Sequence, residues 1–203
     1  MLRIKSHVRP GFVLMVGVLL GGMAVVMAPA AVRLLGGQPE GAEGVIIKTR
    51  TASCSGANFV PANSFVSYQF LWEKLSVVPG GSGDVGTFFC NPALPSKATV
   101  TKVVFDVWDT SADGEVQGCG LTGYPVDASF GGAFEMAYVN GTGISETPYR
   151  PLLVDTSIQN NPTNNAVAGY ALWCTIDGES AAPYDEVGLF GASITYKISA
   201  GNG

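Results

Sequence analysis

From Val45 onward the chain is written in short apolar runs broken by Gly, Pro, Asn, Asp and Ser, and no stretch sustains the 3.6-residue period of an amphipathic helix. Alternation is clearest near the C-terminus. Between Phe190 and Ile198 every second residue is apolar, namely Phe190, Ala192, Ile194, Tyr196 and Ile198, so one face is expected to meet a core and the other, with Thr195 and Lys197, to meet water. The segment 168–176 places Tyr170, Leu172, Cys174 and Ile176 on one side and Ala171, Trp173 and Thr175 on the other. The segment 99–109 sets Val103, Phe105 and Val107 against Lys102, Val104, Asp106 and Trp108. Weaker strands are expected at 44–49, 64–71, 75–78, 85–89, 115–121, 133–139 and 152–157, with the stretch 68–74 also compatible with a helical turn.

About nine or ten short strands separated by turn signals predict an all-β fold. The expected form is a two-layer antiparallel β-sandwich, jelly-roll-like, with a closed barrel as the topological alternative. Segments 79–84 and 160–165 are rich in turn residues and read as loops. No fixed-period repeat and no break in composition interrupts 45–203, which is therefore read as a single domain.

The first 44 residues have a different texture. Arg3, Lys5 and Arg9 precede an apolar run over 12–26, and Ala28 and Ala30 follow it, which is the order of a secretory signal peptide ending at residue 30. The alternative is a retained N-terminal membrane anchor, because no charge falls between Arg9 and Arg33, a length that just spans a bilayer. Membrane contact would then be confined to residues 11–32. The Gly-rich segment 31–44 reads as a flexible leader. Either form leaves the remainder secreted or extracytoplasmic.

Export changes how charge and cysteine are read. From residue 31 onward eight basic side chains face sixteen acidic ones, a formal charge of −8 that repels phosphate backbones and argues against nucleic acid as a partner. All four cysteines, Cys54, Cys90, Cys119 and Cys174, lie in the exported part. An even count in an oxidising compartment predicts two disulfides, and the spacing is too sparse for a redox or zinc motif. Three pairings are open. Cys54 with Cys90 and Cys119 with Cys174 is preferred, since each bond then ties neighbouring stretches, and each closed loop contributes about 4 kcal/mol in the chain-entropy account.

Candidate chemistry is narrow. The only histidine, His7, falls in the export segment, so Ser-His-Asp and Cys-His nucleophile systems are excluded from the exported domain. Asp109, Ser111, Asp113, Gly114 and Glu115 match the first half of a calcium loop, but the position that should bring a bidentate carboxylate is Gly120. A structural calcium ion there is the only cofactor the chain suggests, and a solvated turn explains the same residues. Asp106 and Glu135 each interrupt an apolar strand and are the candidate acid and base of a glycoside hydrolase, although alternation accounts for them equally. Trp108 and Trp173 stand opposite the expected core faces and are the candidate ligand-binding rings. Asn140-Gly141-Thr142 fits both a glycosylation acceptor and a tight turn.

No motif is specific enough to name a family. The leading expectation is a surface-contact or ligand-binding module, with a carbohydrate or a cell-surface protein as partner and self-association left open. A non-catalytic structural or cell-envelope protein comes next, and a carboxylate-based glycoside hydrolase third.

Overall fold

A computed structural model describes residues 46–78, 85–127, 129, 131–143, 150–179 and 186–200. The expected signal segment, its anchor alternative, the leader and the 79–84 loop lie outside these residues. Eleven strands are present among them: β1 (Ile46–Ser55), β2 (Val60–Pro61), β3 (Tyr68–Leu71), β4 (Lys74–Val77), β5 (Val85–Cys90), β6 (Thr99–Asp109), β7 (Glu115–Pro125), β8 (Phe134–Asn140), β9 (Leu152–Asp155), β10 (Ala168–Asp177) and β11 (Val187–Ala200).

They form a two-layer antiparallel β-sandwich, jelly-roll-like. A six-stranded sheet has the order β3-β4-β11-β6-β9 with β1 also on β11, and a five-stranded sheet has the order β2-β5-β10-β7-β8. These are two separate ladders, so the barrel alternative falls away. β2, only two residues long, has too little sequence to show a period and was not expected.

Alternation builds the core between the layers. Val103, Phe105 and Val107 of β6 and Leu172, Cys174 and Ile176 of β10 are wholly buried, while Asp106, Trp108, Trp173 and Thr175 turn outward and stay partly exposed. One disulfide joins Cys54 of β1 to Cys90 of β5 and so fastens one sheet to the other. The second joins Cys119 and Cys174, which face each other directly on β7 and β10 within the five-stranded sheet.

Two expectations need correcting. Phe190 does not join Ala192 and Ile194 in the core, because Leu189 pairs with Val107 and Gly191 with Asp106, leaving Phe190 as the extra residue of a bulge. Its ring turns to the outer face and the buried role passes to Leu189. The segment 68–74 is a hairpin and not a helical turn: β3 and β4 are joined by Trp72 and Glu73 alone, at φ 54° and 66°. Positive φ at both positions matches the right-handed twist of the flanking strands, and the usual sequence for such a turn is Asn-Gly.

Candidate functional site

The hairpin, the bulge and β6 together shape a groove on the outer face of the six-stranded sheet. Trp72, Lys74, Trp108, Thr110, Glu186 and Phe190 line it, and it encloses about 430 Å3. Trp72, on the hairpin tip, is 86% exposed. Trp108 lines the same groove, flanked by buried Lys74, whose Nζ stands 5.6 Å from the ring centroid. Gly188, opposite Trp108 on β11, permits this approach, since a Cβ there would meet the Leu75 carbonyl oxygen at 2.5 Å and Lys74 Cγ at 2.6 Å.

Polar groups fix the rim. The backbone N–H of Thr110 donates to the Glu186 carbonyl at 2.8 Å, and buried Glu179 accepts the N–H groups of Glu186 and Val187 at 2.7 and 2.8 Å through Oε1. The start of β11 is thereby anchored beside Trp108. Next to the groove, Arg150 donates from Nε and Nη2 to the two carboxylate oxygens of Asp106 at 2.8 and 2.7 Å, and its guanidinium lies 4.0 Å over the Phe190 ring. The hydrogen bond to Asp106 pushes the Arg150 pKa further above its ordinary value. The side is thus a surface of rings bordered by both signs of charge.

The carboxylates expected to act together do not meet. Asp106 is on β6 and engaged by Arg150, whereas Glu135 is on β8 in the other sheet, in register with Thr122. Both occupy outward positions, so the thickness of the sandwich separates them and they form no cleft. Glu135 is exposed, as the alternation argument required.

The acidic loop after β6 is folded on itself. Asp109 and Ser111 are buried; Asp109 accepts the Ser111 N–H and the Thr142 hydroxyl, and Ser111 Oγ accepts the N–H groups of Asp113 and Gly114 while bonding Asp113 Oδ1. Glu115 starts β7. Burial pushes the Asp109 pKa up, with the hydrogen bonds from Thr142 and Ser111 opposing. The loop residues therefore complete one another, and no group of three or more His, Cys, Asp or Glu suited to a metal ion occurs among the described residues. Thr142 is drawn into the same network through the Val116 N–H, while a Cβ on Gly141 would overlap the Val116 carbonyl. The glycine is what lets the chain after β8 cross β7 so closely.

Trp173 stands on the outer face of the five-stranded sheet, away from Trp108, and its indole N–H donates to the Thr122 hydroxyl at 2.9 Å. The two tryptophans singled out by alternation thus belong to different faces. Alternation gave no place to Trp72, which falls in a segment of ambiguous period, and set Phe190 on the core face, from which a bulge displaces it.

No protein-family model matches the sequence, and no curated protein matches it. Solved structures similar to the chain include a family 29 carbohydrate-binding module from Piromyces equi, 10% identical, covering 75% of this chain and 91% of that one with a TM-score of 0.39. A low-affinity xylan-binding module of family 86 from Roseburia intestinalis is 11% identical, with 76% and 96% covered and a TM-score of 0.32. A carbohydrate-binding module of promiscuous specificity from the β-sandwich superfamily is 9% identical, with 72% and 54% covered and a TM-score of 0.35.

Proposed function

We propose that this domain is a non-catalytic carbohydrate-binding module, exported from the cell, whose binding site is the Trp72–Trp108 groove. The observation that carries the proposal is Trp72, a large apolar ring held 86% exposed on a two-residue turn in left-handed backbone, at a groove that a second tryptophan also lines. Ordinary packing gives no reason to hold an indole there. A pyranose offers a face of C–H groups that stacks on an indole and a rim of hydroxyls that hydrogen-bond, which Thr110 and Glu186 are placed to meet. Export is supported by the two disulfides, which persist in oxidising compartments.

The test is affinity electrophoresis and calorimetry of the intact protein against soluble xylan, mixed-linkage β-glucan and mannan. Trp72→Ala, at an exposed position, is expected to weaken binding by roughly tenfold or more, the scale of a buried aromatic anchor at an interface. Trp108→Ala is expected to do the same. Unchanged affinity in both variants would remove the groove as the binding site.

A further inference from the structure

The outer face of the five-stranded sheet carries a second array of rings that the Trp72 groove does not use. Phe89 on β5 lies in register with Trp173 on β10, Trp173 with Gly120 on β7, and Gly120 with Tyr138 on β8, so one row crosses four strands, about 14 Å at ordinary strand spacing. The glycines lay these rings flat. A Cβ on Gly120 would stand 2.9 Å from Trp173 Cε2 and Nε1, and one on Gly118 would stand 2.9 Å from the Tyr138 hydroxyl and 3.2 Å from its Cε2. Both rings therefore lie across β7, in contact with each other at 6.0 Å between centroids and tilted by 33°. Tyr124 meets Phe89 edge to face at 6.3 Å, beside a groove of about 700 Å3 that also presents Asn91 and Asn165.

We infer that this row is a second carbohydrate-binding platform, for a neutral polysaccharide chain, and that the domain can bridge two chains from its opposite faces. The bridging step rests on the proposed role of the Trp72 groove; binding at the platform does not. Flat rings with the indole N–H already satisfied by Thr122 offer their π-faces outward, which suits pyranose stacking. Among the described residues no charged side chain stands between the rings along the row, and the charges that border it, Glu135 opposite Thr122, Asp177 at the end of β10 and Asp155, which accepts the Tyr138 N–H, are acidic. Polyuronates and phosphate backbones are repelled by that border, while hydroxyl donors find acceptors in it.

The experiment compares the intact protein with Tyr124→Ala/Tyr138→Ala, chosen because those rings are 40% and 43% exposed and their loss leaves the core untouched, and with Trp72→Ala. Trp173→Ala serves as a third variant, with near-ultraviolet circular dichroism reporting that it folds. Probes are soluble xylan, mixed-linkage β-glucan and mannan, with polygalacturonate as the acidic counterpart; readouts are electrophoretic retardation and light scattering from bridged polymer. The wild type is expected to raise the scattering of at least one neutral glycan, and the double tyrosine variant to lose that rise while keeping retardation through the other face. Trp72→Ala is expected to keep weaker retardation, abolished only when the tyrosine changes are added. Retardation lost entirely in Trp72→Ala, with the tyrosine variant indistinguishable from wild type, would overturn the platform and leave the groove standing. The reverse pattern would overturn the groove and leave the platform. Retardation by polygalacturonate through the platform, or a protein dimer in sedimentation that the tyrosine changes dissolve, would overturn the assignment to neutral glycan.

Discussion

Asp109 shows how one buried residue ties the loop after β6 to the chain after β8. Its carboxyl is desolvated more than its two hydrogen bonds compensate, so its folded pKa lies above the unfolded value of 3.8. A raised acid binds more protons folded than unfolded, and its stabilising contribution is complete below the unfolded pKa and is lost as pH rises through the folded one. Wild type is therefore expected to lose stability relative to Asp109→Asn as pH rises from about 4 to 7, read as the difference between their urea midpoints at each pH. A constant difference across that range would contradict the burial account. The residues that read as half a calcium loop also bond one another: Ser111 accepts from the Gly114 N–H, and Asp109 accepts from the Thr142 hydroxyl, which comes from far along the chain.

At the level of elements, β6, β10 and most of β7 were readable because their two faces meet different solvents, and period-two alternation records that difference. β11 was readable only in part, since a bulge changes the parity at Phe190 and the pattern cannot say where a bulge falls. The β3–β4 hairpin was the hardest, for Trp72 and Glu73 are poor residues for a turn of this kind. Holding a side-chain-bearing residue in left-handed backbone costs about 1–2 kcal/mol. Glu73→Gly is accordingly expected to raise stability by about 1 kcal/mol in denaturant unfolding with glycan affinity unchanged, whereas replacing Trp72-Glu73 by Asn-Gly should raise stability and weaken glycan binding together, to the extent that Trp72→Ala does. Loss of stability in Glu73→Gly would show that the tip is held by contacts and not merely strained.

Across the whole molecule the all-β sandwich followed from alternation and turn spacing, and the disulfide pairs followed from chain proximity, although only the fold shows that Cys54–Cys90 fastens sheet to sheet. Cys54→Ser/Cys90→Ser is expected to lose about 4 kcal/mol, or roughly 8–16 °C in Tm, by thermal unfolding; an unchanged Tm would contradict that role. What the sequence could not show was which outward rings share a face, because Trp72, Trp108 and Phe190 converge through sheet order and a bulge and not through spacing. Whether Trp72 and Trp108 contact sugar is read from their indole N–H signals in a nitrogen-15 correlation spectrum, assigned by single substitution. On titration with xylan, β-glucan or mannan oligosaccharides the Trp72 and Trp108 signals are expected to shift in a saturable manner with at least one of them. Saturating glycan that leaves both signals where they stand would show that neither ring contacts sugar.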